Sequence, residues 1–264
     1  MFLDGFDTQA ISYIVPALSR DWHLSREILG SIFSAALVGL MVGSTFWLED
    51  QGEARASVAA LVRGRTLAGT VLLWLIFFLN LAEFYFMQSW LPTMLTGLQY
   101  SPAKIVWVTV LPTIAGVLSA VPLGLAMDRV GPCVTLSVLY LAGRVFMWLV
   151  GSAFSSSVAW LMVMVMVFCA GFCISGGQKS VIALAAVYYP LNLRSTGVGR
   201  ALGIGRLGGI AGPPIAGMLY CAHWTPADIF RFSAWPVLVA GIGVFVMGRI
   251  YGSRPVVVET SATH

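Results

Sequence analysis

LAGTVLLWLIFFLNLAEFYFMQSWL, Leu67–Leu91, runs 25 residues with one charge, Glu83. The hydrocarbon core of a bilayer, about 30 Å thick, asks for about 20 mainly apolar residues in a helix. The stretch therefore reads as a membrane-crossing helix, and its neighbours repeat the pattern. Upstream lie about Met1–Leu18 and Leu29–Leu48. Downstream lie about Ile105–Met127, Pro132–Ala153, Val158–Tyr188, Ser195–Cys221 and Ile229–Tyr251. The fold class expected is an all-α membrane protein, a helical bundle of about eight transmembrane helices.

Composition agrees. Hydrophobic residues make up 58% of the chain and charged residues 10%, against about 25% charged in soluble domains. Mean hydropathy is +0.87. One water-facing globule could not bury that much apolar surface, so the excess must face lipid. The net charge of +4 comes from single Lys and Arg residues placed between apolar stretches, which argues against a nucleic-acid partner. Cys169 and Cys173 share a helix face, but no His or carboxylate joins them. They read as small buried hydrophobes, and no metal or cofactor is expected. An enzyme is not expected either: H-E-x-x-H and G-x-S-x-G are absent, and His23, His223 and His264 lie outside the apolar segments. No basic region precedes the first apolar segment, as a secretory signal would require.

Lys/Arg placement orients the bundle. With the first loop outside, Arg20, Arg26, Lys104 and Arg231 fall on the outer side. Arg55, Arg63, Arg65, Arg129, Arg194, Arg249 and Arg254 fall on the other, which seven against four makes cytoplasmic. The polar stretch QGEARASVAALVRGR, Gln51–Arg65, marks a cytoplasmic linker over residues 49–66, and residues 252–264 form a short cytoplasmic tail.

Ionisable groups within spans are costly and therefore functional candidates: Asp4, Asp7, Glu83, Arg144, Lys179, Arg200 and Arg206. Asp4 and Asp7 lie three apart, on one helix face. Two such carboxylates in a low dielectric cannot both ionise cheaply, and sharing a proton is what a proton-coupled carrier needs. The alternative is a solvated helix start, where acids complement the dipole. Asn80 and Glu83 share a face of Leu67–Leu91. They suit either an aromatic carboxylate's cavity or interhelical hydrogen bonding.

STGVGRALGIGRLGGIAGPPIAG, Ser195–Gly217, contains G-x-G-x-x-G at Gly203, Gly205 and Gly208, with Asp228 downstream. A dinucleotide site would need a preceding strand, and the flanks read as membrane helices. The pairs Gly199/Gly203, Gly205/Gly209 and Gly208/Gly212 read instead as small-xxx-small contacts for close helix packing. Pro213–Pro214 is expected to break or kink that helix. Arg206 could meet a substrate carboxylate, snorkel to the membrane surface, or pair with Asp or Glu. GLAMDRVG, Gly124–Gly131, reads as a tight cytoplasmic turn with a local ion pair.

GLAMDRVG also resembles the G-x-x-x-D-R-x-G loop motif of the major facilitator superfamily, at Gly124, Asp128, Arg129 and Gly131, as it occurs between helices eight and nine. FLDGFDTQAISYIVPAL resembles the first helix of the aromatic acid:proton symporters, with D-G-x-D at Asp4, Gly5 and Asp7. WLIFFLNLAEFYFMQSWLP resembles their helix seven. GFCISGGQKSVIALAAVYYP and LRSTGVGRALGIGRLGGIAGP resemble their helices ten and eleven. The resemblance implies a major facilitator-type bundle in a cell membrane, a bacterial inner membrane, importing benzoate-like or hydroxybenzoate-like acids with a proton. Asp4 and Asp7 match the first-helix acids of that family and Asp128 its loop acid; in such a carrier Asp4 and Asp7 would carry the proton, and Asn80, Glu83, Gln178 and Arg206 are the candidates to meet the substrate. The resemblance also implies a complete six-helix half over residues 67–251. Residues 1–48 match only two helices of the other half, and helices three to six have no counterpart. A remnant that does not transport, or a subunit that needs a partner, is the second expectation. Lys179, Arg200 and Glu83 stand where relatives are expected to carry small, aromatic or neutral residues.

Overall fold

A computed structural model describes residues 67–97, 100–155, 159–191 and 193–251. The first two apolar segments, with Asp4 and Asp7, the linker and the tail lie outside the described residues. The described chain forms seven helices and no strand: α1 Leu67–Gly97, α2 Pro102–Leu118, α3 Ala120–Val130, α4 Pro132–Ser155, α5 Trp160–Tyr188, α6 Arg194–Cys221 and α7 Pro226–Tyr251.

Local chemistry sets the helix ends. Pro102 opens α2, where its missing N–H costs nothing. At the start of α7 the Thr225 hydroxyl donates to the Asp228 carboxylate at 2.6 Å, and the Asp228 N–H donates back at 3.2 Å. The second bond caps the helix N-terminus, satisfying one of its free backbone N–H groups. Gly131 separates α3 from α4 at φ 95°, a conformation that favours glycine. That explains the last glycine of GLAMDRVG. Inside the spans, hydroxyls bond their own helices: Thr109 donates to the Ile105 carbonyl and Ser137 to the Cys133 carbonyl. Lipid offers them no other partner.

α1, α4, α5 and α7 are each long and apolar enough to cross a membrane. α2 and α3, bent by 41° at Ser119, pass the same test of length and composition when taken together. These match five of the six segments read from the sequence over this region. The sixth, α6, is long enough at 28 residues, but its glycines and Arg194, Arg200 and Arg206 leave it more polar than the others.

The helix pairing has an internal symmetry. The closest partnerships are α4 with α7, α1 with α6, α4 with α5, α2 with α5, and α1 with α7. Exchanging α1, α2/α3 and α4 for α5, α6 and α7 maps α1–α6 onto α5–α2 and α1–α7 onto α5–α4. It maps α4–α7 onto itself. Two inverted triplets of helices would produce this pattern.

Glycines let the paired helices touch, though not all those expected. A Cβ on Gly208 would collide with the Phe78 backbone of α1. One on Gly212 would lie 2.5 Å from the Ala82 carbonyl oxygen, and one on Gly205 3.2 Å from that of Phe77. Gly209 is buried in the same helix. Gly199 and Gly203 differ: a Cβ on either meets no described atom within 4 Å, so neither packs on a described helix. They occupy another face of α6, because a spacing of four does not say which face a neighbour covers. Gly124 likewise has nothing within 4 Å. Pro213 and Pro214 do not break α6, which continues to Cys221. Beside them the Trp90 indole N–H of α1 donates to the Pro213 carbonyl at 2.9 Å. Gly203, Gly205 and Gly208 lie within this helix, and no strand precedes it among the described residues.

Reporter fusions give the expected topology a direct check. Fusions after Leu24, Ser57, Thr96 and Gly252 should read outside, inside, outside and inside. An external C-terminus would reverse the orientation.

Candidate functional site

The ionisable residues within the spans have different surroundings. Glu83, 3% exposed, lies near Ser233 of α7, whose hydroxyl donates to its own helix at the Phe230 carbonyl, 2.9 Å away. Its Oε1 is buried without a hydrogen-bond partner among the described residues, and Phe86 of the next turn meets Phe230 with ring centroids 5.2 Å apart. Asn80, also 3% exposed, faces α5, its amide 3.5 Å from the Ile174 carbonyl. The two share a side of α1 in sequence, yet they face different neighbours.

Arg206 sits near the middle of α6 and is half-buried. Its charge acts on the hydroxyl of Tyr85 of α1, and the Tyr85 ring meets Phe84 edge to face at 5.3 Å. The glycine face of α6 lets this happen: with Gly205, Gly208 and Gly212 against α1, the backbones are close enough for the arginine to act across the seam. Gln178, half-buried, follows Ile174 by one turn on α5. Arg144 lies over the Trp235 ring, 5.2 Å from its centroid.

Asp128 and Arg129 are both exposed and make no ion pair among the described residues. This corrects the local pair expected in GLAMDRVG, since adjacent residues on a helix point about 100° apart. The ion pair found among the described residues joins Asp228 and Arg231 at 3.3 Å. Three placements were not foreseen from sequence: Ser233 near Glu83, Tyr85 within range of the Arg206 charge, and Trp90 bonded to Pro213. Each depends on which helices become neighbours. The hydroxyl of Ser233 within apolar α7 was the one available hint.

Residues 73–262 match the family described as Major Facilitator Superfamily. The chain belongs to that superfamily. It is 34% identical over 227 residues to a 4-hydroxybenzoate transporter of Pseudomonas aeruginosa, covering 85% of this chain and 49% of that protein. It is 32% identical over 225 residues to the 3-(3-hydroxy-phenyl)propionate transporter of Escherichia coli, covering 83% and 54%. It is 31% identical over 242 residues to a gallate transporter of Pseudomonas putida, covering 90% and 53%. The chain spans about half the length of these relatives. Within the superfamily frame, Arg206 and Tyr85 lie at the seam between the first and sixth described helices.

Proposed function

We propose that this major facilitator chain serves in a secondary transporter that takes up aromatic carboxylic acids with protons across a bacterial inner membrane. The observation that carries the reading is Arg206, a half-buried cation near the middle of α6, the helix whose glycines seat it on α1, which carries the half-buried Tyr85. A guanidinium matches a carboxylate in a bidentate fork, and a phenol among aromatic rings suits the ring that bears it. The names of the relatives support the substrate class. Asn80 and Gln178 are assigned to the polar edge of the path, and Glu83 to holding α1 on α7. Asp4 and Asp7 are assigned to the proton. Residues 67–251 act as one six-helix body, with residues 1–48 on the other side of the path and residues 49–66 linking them in the cytoplasm.

The share of the relatives that this chain spans supports a second reading, in which the path is completed by a partner or does not operate. Uptake of labelled aromatic acids into vesicles under an imposed proton gradient separates the two. Accumulation that a protonophore collapses is expected. Arg206→Gln should lower the rate about tenfold or more, as loss of a charged hydrogen bond does. Accumulation indifferent to the protonophore would refute coupling. Unchanged uptake by Arg206→Gln would remove Arg206 from the path.

A further inference from the structure

α2 and α3 meet at Ser119 with a 41° bend. Beside the bend, the Gly116 carbonyl accepts two hydrogen bonds. One comes from the Ser119 hydroxyl at 2.9 Å. The other comes from Lys179 of α5, whose Nζ lies 2.7 Å away. Ser119 is fully buried and Gly116 is packed on Ser175. Lys179 itself is exposed on the bundle surface.

Lys179 stands nine residues before the end of α5, so about 13 Å of helix separates it from that end. With the 29-residue helix centred on a hydrocarbon core of about 30 Å, that depth falls inside the core, where an ammonium is stabilised by a counter-charge. Among the described residues it has none. The acids there are Glu83, Asp128 and Asp228. Glu83 is buried near Ser233 on the α7 side of α1, Asp128 lies at the end of α3, and Asp228 is paired with Arg231. The ammonium has three N–H donors. One is spent on Gly116, and no described partner takes the other two. A neutral carbonyl is a weak partner for a cation compared with a carboxylate.

We propose that Lys179 is a second carboxylate-binding residue for the transported acid, and that its bond to Gly116 is the position it holds when no acid is bound. The arriving carboxylate draws the ammonium from the Gly116 carbonyl. Ser119 is then the remaining side-chain donor at the bend, so occupancy loosens the joint between α2 and α3. This rests on the aromatic-acid reading above and adds a residue and a coupled movement to it.

The test uses the purified full chain in nanodiscs. The probes are 4-hydroxybenzoate and its uncharged analogue 4-hydroxybenzamide. Lys179→Gln keeps a donor for Gly116 and removes the charge; Lys179→Arg keeps the charge. The expected result for Lys179→Gln is about tenfold or greater weakening for the acid, with the amide unchanged, and recovery in Lys179→Arg. Hydrogen exchange across Ser119–Leu123 should rise when the parent binds the acid and stay flat in Lys179→Gln. Unchanged acid affinity in Lys179→Gln overturns the proposal while leaving the functional reading standing. So does a co-purified anionic lipid that Lys179→Gln releases with acid binding intact, since a lipid phosphate would then be the partner. A parent that binds no aromatic acid sinks the functional reading itself, and the role of Lys179 with it.

Discussion

Gly208→Val is expected to destabilise the bundle strongly, whereas Gly203→Ala, on the same helix, is expected to leave it intact. The difference comes from what each new carbon meets. At Gly208 a Cβ would fall on the Phe78 backbone. Backbone cannot rotate aside as a side chain can, so α6 must move off α1 along the whole seam. Overpacking of a mobile core costs about 1–3 kcal/mol, and a clash with a rigid helix lies at the upper end or beyond. For a domain of this size, that corresponds to a fall in melting temperature on the order of 10 °C. At Gly203 nothing described lies within 4 Å. Ala there should be neutral or should stabilise by up to about 1 kcal/mol through helix propensity. Gly205→Leu should fall between the two, because its Cβ would stand 3.2 Å from the Phe77 carbonyl and its branches have no room. Thermal unfolding of the purified variants in detergent gives the order. Equal melting temperatures for Gly208→Val and its parent would mean that α6 does not seat on α1 as described. The internal symmetry adds a check: Gly171→Val, on α5 against Pro112 of α2, should cost about as much as Gly208→Val.

The same glycines show how far the sequence could be read. Their density announced close packing, and the lengths of the apolar runs located the six segments to within a few residues. Which glycine touches what was not legible. Gly199/Gly203 and Gly208/Gly212 have the same spacing, yet the second pair meets α1 and the first meets nothing described. Spacing fixes relative angle on one helix; the identity of the neighbour comes from tertiary arrangement. The site follows this rule. Arg206 stood out because a charge in a span is conspicuous, while Tyr85 became its neighbour only once α1 and α6 lay together. Glu83 was conspicuous for the same reason, and Ser233, which lies near it, is 150 positions away. Lys179 was visible as a charge in α5, but not its bond to the carbonyl beside a bend in another helix.

Asp4→Asn and Asp7→Asn should each abolish accumulation of 4-hydroxybenzoate against its gradient while sparing its exchange across the membrane. Asn matches Asp in shape and keeps hydrogen bonds, but it cannot take up or release a proton. If the two acids carry the coupling proton, the variants can still bind the aromatic acid and move it down its own gradient. They can no longer be driven by protons, so net accumulation falls to the equilibrium level. The measurement is uptake in a bacterial strain without aromatic-acid carriers of its own, with and without a protonophore, beside a counterflow assay in vesicles. Loss of accumulation with retained counterflow is expected from a coupling role. Loss of both would mean that the acids hold the substrate or the fold instead. Accumulation equal to the parent's in both variants would leave Asp4 and Asp7 as the solvated start of a helix, where acids complement the dipole. A parent chain that binds the acid yet accumulates none would favour the partner-dependent reading. Supplying the remaining helices of a relative on a second chain should then restore uptake, because alternating access needs two bodies that keep their shape on either side of one path.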